Sequence, residues 1–250
     1  MLRSKVISLV ALALLCSVSA PAHAHFPVNL NASHSKVSKS PILFDGTISF
    51  AVYADFAKAK DQRHVRFALK PGEELNVEYL ILDAAPTNKL KKSQLPSVLL
   101  TTPSGEKISL PIKERTPFFE PYGKKSYFYL ARLSQRGEAG IYSISATAKV
   151  RSSIVLAVGR TETRGDFLNV GSSQGQCPAT LKSEEEITDI RATQLIGMKE
   201  RGAEVCAAAN KWFYRVGERD GEPFAVTMDY RSNRVTVTIT SGRITAVSVG

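Results

Sequence analysis

Apolar and polar residues alternate in short runs between positions 40 and 160 of the chain. The alternation is clearest at residues 47–52 and 141–145, and turns that contain Pro and Gly separate the runs. Because successive side chains of a strand point to opposite faces, these runs predict half-buried β-strands. About eight short strands of this kind predict an all-β sandwich as the N-terminal domain.

Residues 116–122 interrupt the alternation with three aromatic residues and two prolines. Proline has no backbone N–H to donate to a strand ladder, so this segment predicts a loop. A loop of this composition either binds a ligand or closes one end of the sandwich.

The C-terminal part of the chain has a different period. Val205, Cys206 and Ala209 are spaced so that they share one face of a helix over residues 198–210. Alternating runs within residues 212–249 then predict three strands, and a Ser-Gly turn joins the last two as a hairpin. This pattern predicts a small α+β domain after the sandwich.

The first 24 residues have the composition of a secretory signal peptide. Arg3 and Lys5 precede an apolar core that is too short for a stable membrane span, and a small-x-small cleavage pattern ends at Ala24. We therefore expect a periplasmic or secreted mature protein that begins at His25, with cleavage after Ala22 as the alternative. No other stretch is apolar enough to predict a membrane span.

The composition of the chain predicts the remaining domain boundaries. Gly, Ser and Gln dominate residues 171–176, which is typical of a flexible linker. The predicted organisation is a signal peptide at 1–24, a β-sandwich domain at 25–165, a linker at 166–176 and the α+β domain at 177–250.

The positive charge of the chain lies mainly in the predicted sandwich. Of a formal net charge of +10, residues 25–166 contribute an excess of basic residues, with 21 Lys and Arg against 13 Asp and Glu. Because these charges are scattered, they indicate an ordinary solvated surface, and an anionic surface as a partner of this domain is the alternative. No nucleic-acid-binding motif is present, so nucleic acid is not an expected partner.

Two cysteines remain in the predicted mature chain, Cys177 and Cys206. An even number in an exported protein predicts a disulfide, and two unpaired thiols are the alternative. The spacing of Cys and His fits no zinc site, so no structural metal site is predicted.

The sequence does not predict an enzyme. It contains no Gly-x-Ser-x-Gly, no His-Glu-x-x-His and no phosphate-binding loop. No cofactor is predicted either.

A polar stretch before the strand at residues 235–240 holds a suggestive set of side chains. In an extended segment Thr227 and Asp229 share one face, while Met228 and Tyr230 point the other way. Arg234 follows at the start of the strand, and its five N–H donors can reach the Thr227 hydroxyl and the Asp229 carboxylate together. A loop braced in this way would present Met228 to solvent.

This stretch resembles the reactive loop of the potato inhibitor I family (barley chymotrypsin inhibitor type), and more closely that of the bacterial and fungal elastase-inhibitor-type peptidase inhibitors. The resemblance covers roughly residues 195–250, and its most specific part is the run Val-Thr-Met-Asp-Tyr-Arg-x-x-Arg-Val. It implies a serine protease inhibitor in which Met228 enters the primary pocket of the protease and Met228–Asp229 is the reactive bond. The implied protease-binding loop consists of Val226, Thr227, Met228, Asp229, Tyr230 and Arg231. Arg234 is the implied support of the loop, and the implied targets are proteases of elastase-, chymotrypsin- or subtilisin-like specificity.

Two features depart from the family pattern. The residues before the predicted helix, Met198 and Lys199, offer no good N-cap side chain, and Gly202 lies early in the helix. Some relatives carry a second arginine two residues after the Arg234 position, where this chain has Thr236. The sequence therefore predicts one arginine brace for the loop.

Two other functions remain open at this point. A mature N-terminal His25 would offer an amine and an imidazole to copper or nickel, and His34 or His64 would complete the site. Alternatively, the C-terminal domain is an inactive relative that has kept the inhibitor fold without the activity.

Overall fold

The computed structural model describes residues 25–171, 174–182 and 186–250. The predicted signal peptide and positions 172–173 of the predicted linker lie outside the described residues. The described chain is mostly β-structure, in three mixed sheets with a few short helices. None of its helices is long and apolar enough to cross a membrane.

Twelve strands precede the helical region. They are β1 (Phe26–Leu30), β2 (Ile42–Leu43), β3 (Phe50–Phe56), β4 (Gln62–Leu69), β5 (Glu74–Leu82), β6 (Ser97–Thr101), β7 (Lys107–Ser109), β8 (Thr116–Glu120), β9 (Lys125–Arg136), β10 (Gly140–Thr147), β11 (Ser152–Val158) and β12 (Phe167–Leu168). The first sheet has the order β1-β3-β11-β5-β9-β8, and the second has the order β12-β2-β4-β10-β6-β7. The β1–β3 and β2–β4 pairs are parallel, and the other pairs are antiparallel.

The two six-stranded sheets share one apolar core. Phe50 and Val52 of the first sheet and Phe67 and Ile144 of the second belong to the same buried cluster. In β10 the buried residues alternate with partly exposed serines, as the sequence pattern predicts. Burial of this apolar surface is the main stabilising contribution to this part of the protein.

Residues 116–120 form a strand and not the loop that their composition predicts. Thr116–Glu120 is β8, the edge strand of the first sheet, and it pairs with β9. An edge strand tolerates Pro117 because its outer side needs no donor for a neighbouring strand.

The C-terminal region consists of α1 (Asp189–Ala192), α2 (Glu200–Ala209), β13 (Phe213–Arg219), β14 (Glu222–Pro223), β15 (Arg234–Thr240) and β16 (Arg243–Val249). The third sheet has the order β14-β13-β15-β16, with β13 and β15 parallel. The predicted apolar face of α2 is buried against this sheet, and Val205, Cys206 and Ala209 share a core cluster with the inward residues of β15.

The N-terminus of α2 has no side-chain cap, as the sequence predicts. The hairpin between β15 and β16 supplies an acceptor instead, because the carbonyl oxygen of Gly242 accepts from the N–H of Glu200 at 3.0 Å. This bond satisfies one of the donors that a helix leaves free at its start.

A disulfide joins Cys177 to Cys206 and confirms that prediction, with the two Cα atoms 5.6 Å apart. It ties the segment after the predicted linker to the middle of α2. The chain-entropy model gives about 3.6 kcal/mol for closing a loop of this length. The side-chain amide of Asn210 donates to the carbonyl oxygens of Cys206 (3.1 Å) and Pro178 (3.3 Å) on the two sides of the bridge.

The C-terminal region packs directly against the second sheet. Gly202 in α2 lies against the ring of Phe44, so closely that an added Cβ would be 2.8 Å from its Cζ atom. The buried Arg66 of β4 donates to the Thr180 hydroxyl at 2.8 Å. Strand β12 lies within the predicted linker and pairs with β2. The predicted boundaries at 165 and 177 stay predictions, and we expect the two parts to depend on each other for stability.

Gly202→Leu should destabilise the protein by about 1–3 kcal/mol, because its side chain has no space beside Phe44. Ala208→Leu is the matched control, since residue 208 is on the exposed face of the same helix. It should change the free energy of unfolding by no more than about 0.5 kcal/mol. Urea unfolding followed by the fluorescence of Trp212, the single tryptophan of the chain and a buried residue, measures both. Equal stability of the two variants would contradict the packing described for α2.

Candidate functional site

The candidate loop connects β14 to β15 and contains all six residues of the predicted protease-binding segment. It has no regular secondary structure from Phe224 to Arg231. Met228 is 97% exposed and Tyr230 is 68% exposed. Among the described residues, the most exposed large apolar side chain is thus at the position that the resemblance assigns to the primary pocket.

Arg234 lies beneath this loop, and its side chain is only 8% exposed. Its Nη1 donates to both carboxylate oxygens of Asp229, at 3.2 and 3.3 Å, and its Nη2 donates to the backbone carbonyl of the same residue. Its Nε donates to the carbonyl oxygen of Gly250 at 2.9 Å. A buried guanidinium requires such acceptors, so the position of Asp229 is coupled to the burial of Arg234.

A second arginine, Arg215, supports the loop from the neighbouring strand β13. Its Nη1 donates to the carbonyl oxygen of Thr227 at 3.0 Å, and its Nη2 donates to that of Gly250 at 3.1 Å. Its Nε donates to the Thr236 hydroxyl at 3.0 Å. The expectation of a single arginine brace is therefore wrong. Arg215 pairs with Thr236 in the parallel register, and from there its side chain reaches the loop.

The Asp229 carboxylate accepts hydrogen bonds from three side chains, those of Thr227, Arg231 and Arg234. The Thr227 hydroxyl lowers the pKa of Asp229 most, followed by Arg231 and Arg234, and the pKa is held well below its usual value of 3.8. Arg231 donates from Nε at 2.8 Å. The sequence predicts a direct contact between Arg234 and the Thr227 hydroxyl, whereas the hydroxyl bonds to Asp229 and Arg215 binds the Thr227 carbonyl.

Other large apolar side chains in the loop and in β13 are also exposed. Phe213, Phe224 and Val226 are all exposed. The Arg231 guanidinium carbon lies 5.8 Å from the ring centroid of Phe213, within the range of a cation–π contact. The ring of Tyr230 packs on Gly250, where an added Cβ would be 2.9 Å from Cδ2 of the tyrosine. The loop and the strand beside it therefore expose several apolar side chains in addition to Met228.

The ring nitrogens of the three histidines of the alternative metal site contact different groups. The Nδ1 of His25 contacts the Ser49 hydroxyl, that of His64 lies 2.8 Å from the Ser145 hydroxyl, and that of His34 accepts from the N–H of Asn31 at 3.1 Å. Within the described ranges, no group of three or more His, Cys, Asp or Glu side chains is arranged to hold a metal ion. The metal hypothesis gains no support from this arrangement.

The lowered pKa of Asp229 generates a prediction that does not require a protease. The carboxylate should keep its contacts as the pH falls below 3.8 and lose them only when the pH falls through the lowered pKa. Thr227→Val removes the largest cause and should raise the pKa of Asp229 toward 3.8. A carboxyl carbon NMR titration measures the pKa, and Thr238→Val in β15 is the control that should leave it unchanged. An equal pKa in Thr227→Val and the unaltered protein would contradict the assigned network.

No protein-family model matches the chain, and the comparison with curated proteins finds no match either. The resemblance to the potato inhibitor I family therefore depends on the loop residues and on the elements that flank them.

Proposed function

We propose that the protein is an exported serine protease inhibitor whose reactive bond is Met228–Asp229. One observation carries the proposal. Met228 is almost fully exposed, while the carbonyls immediately before and after it, those of Thr227 and Asp229, are held by Arg215 and Arg234. Such a segment presents Met228 as a substrate would, while the two arginine contacts restrict the movement of its backbone on both sides.

The proposed architecture is an N-terminal β-sandwich followed by an α+β domain similar to potato inhibitor I. The shared core of the two six-stranded sheets supports the first part. The packing of α2 on a sheet whose parallel strands β13 and β15 flank the loop supports the second. Both parts belong to one mature periplasmic or secreted chain in this proposal.

The inhibitor acts by occupying the cleft of the protease as a substrate does. Residues 226–228 pair with the protease as an added extended strand, and Met228 fills the primary pocket. The flexible thioether side chain of methionine adapts to apolar pockets of different shapes. The target class is therefore a serine protease of elastase-, chymotrypsin- or subtilisin-like specificity.

The arginine contacts explain why binding would lead to inhibition and not to turnover. A loop that is already ordered avoids a cost of about 0.5–1.5 kcal/mol for each side chain that binding would otherwise immobilise. After cleavage of Met228–Asp229, Arg215 still holds the residue before Met228 and Arg234 holds the new N-terminal residue. The two ends stay close together at high effective concentration, so resealing of the bond competes with release.

The reading as an inactive relative leaves these contacts unexplained. An ordinary surface connection does not need two arginine side chains bound to its main-chain carbonyls, or a carboxylate that accepts from both Arg231 and Arg234. Inhibition assays on the mature chain, residues 25–250, distinguish an active inhibitor from an inactive relative.

Met228→Lys should redirect inhibition toward trypsin-like proteases, because a cationic side chain suits an acidic primary pocket. The inhibition constant for an elastase- or chymotrypsin-like enzyme should rise at least tenfold, which corresponds to about 1.4 kcal/mol. Tyr230→Lys is the control, since it adds the same charge two residues away at another exposed position. If both variants shift specificity equally, Met228 is not the primary-pocket residue.

Arg215→Ala and Arg234→Ala should each weaken inhibition at least tenfold and make the loop a substrate that is cleaved at Met228–Asp229. Arg243→Ala is the matched control, because Arg243 of β16 donates to the carbonyl of Gly197, outside the loop. Mass spectrometry identifies the cleaved bond, and Trp212 fluorescence verifies that each variant is folded. A protein that inhibits no protease of the three classes would refute the proposed function. Inhibition that neither loop-support variant changes would place the inhibitory surface elsewhere.

A further inference from the structure

A cavity of about 250 Å³ opens on the outer face of the first sheet, which is a different sheet from that of the candidate loop. Its floor consists of the small residues Ala51, Val155 and Ala157. Its walls are aromatic and include Tyr53, Phe118, Tyr127 and Tyr129. The size is just below the usual range of small-molecule sites, about 300–1,000 Å³, and suits a ligand of few heavy atoms.

The strand register explains how the cavity forms. Ala51 of β3 pairs with Ala157 of β11, so two small side chains are adjacent on the outer face. Toward the edge of the sheet, Phe118 of β8 pairs with Tyr127 of β9. Large rings on the outer strands therefore surround a shallow centre, and they bury the small residues of the floor.

The wall near β8 is held in place before any ligand binds. The Glu120 carboxylate accepts from the N–H of Tyr122 at 2.7 Å and from that of Gly123 at 2.5 Å, which closes the turn between β8 and β9. The rings of Phe118 and Tyr129 lie 5.1 Å apart in a tilted contact. A preformed wall lowers the ordering cost of binding.

The charged lining consists of the carboxylates of Glu78 and Glu120 against the ammonium of Lys125, with His25 as a further titratable group. Glu78 is 20% exposed, and its nearest arginine, Arg160, is 3.8 Å away and 59% exposed. The Tyr129 hydroxyl also hydrogen-bonds to Glu78, so this carboxylate has one neutral donor and one long arginine contact, and a bound cation would compete with the arginine contact.

The aromatic walls also favour positive charge. The guanidinium carbon of Arg132 already lies 4.5 Å from the ring centroid of Tyr129, so this ring binds a cation within the protein itself. Burial raises the pKa of both Tyr127 and Tyr129, and the nearby carboxylates of Glu120 and Glu78 raise it further. Arg132 and Arg160 act on the pKa of Tyr129 in the opposite direction, and the two hydroxyls stay neutral at physiological pH.

We propose that this cavity binds a small organic ammonium ion, with its alkyl groups against the aromatic rings and its charge near Glu78. Ring faces together with a carboxylate recognise quaternary ammonium groups. A neutral sugar of the same size would gain no charge–charge attraction from the Glu78 carboxylate, so glucose is a suitable competing probe. The proposal is independent of protease inhibition.

Choline and 3,3-dimethyl-1-butanol, its neutral isostere, test the proposal on the mature protein. The two probes have nearly the same shape and differ in charge. NMR titration of protein labelled in its tyrosine rings should show saturable choline binding with a Kd at or below about 1 mM. The neutral alcohol should bind at least tenfold more weakly, because it lacks the cation–π and carboxylate attraction.

Glu78→Gln should weaken choline binding at least fivefold and leave binding of the neutral alcohol unchanged. Glu74→Gln is the matched control, since Glu74 is an exposed residue at the start of the same strand, outside the cavity lining. Comparable binding of both probes would overturn the assignment of a cation. Absence of saturable choline binding, or tighter binding of glucose than of choline, would overturn it as well.

Discussion

Two arginine side chains need hydrogen-bond acceptors, and this need determines the conformation of the candidate site. Arg234 is almost completely buried, and Arg215 reaches the same region from the adjacent strand. Both donate to the carbonyl of Gly250 and each donates to one carbonyl of the loop. Leaving a buried guanidinium without acceptors is costly, so the loop, the start of β15 and the residue that follows β16 constrain one another. The polar network can therefore hold an extended loop without any apolar core of its own.

This network needs a rigid platform, which packing and the disulfide provide. The bridge between Cys177 and Cys206 fixes α2 to the preceding segment, and the apolar face of α2 covers the sheet that carries both arginines. Gly202 allows the same helix to approach Phe44 of the N-terminal part. The glycine lowers intrinsic helix propensity, but the close approach it permits joins the third sheet to the larger β-structure.

Local sequence patterns were sufficient to predict part of this arrangement. Alternation predicts the β-rich character, the spacing of Val205, Cys206 and Ala209 predicts the buried helix face, and an even cysteine number predicts the disulfide. The contact between Asp229 and Arg234 was predictable because the two residues are only five positions apart. Arg215 was missed since its role depends on a parallel pairing with Thr236, 21 positions away.

Strand pairing also explains why the cavity and β8 could not be predicted. Ala51 and Ala157 are unremarkable in the sequence, and only the β3–β11 register brings them together as a floor. Pro117 favours a loop when only the sequence is considered. The position of β8 at the edge of the sheet explains why a strand can contain this proline. Short-range signals report periodicity and turn chemistry, whereas a surface site depends on which distant strands become neighbours.

The hydrogen bonds that hold the loop do not depend on which side chain is at its most exposed position. Arg215 and Arg234 bind main-chain carbonyls and the Asp229 carboxylate, and none of these contacts involves the Met228 side chain. A change at position 228 therefore alters what the loop presents without removing any of these hydrogen bonds. A change at either arginine leaves Met228 in the sequence but removes the constraint on its backbone. In a loop built this way, specificity and resistance to cleavage depend on different residues.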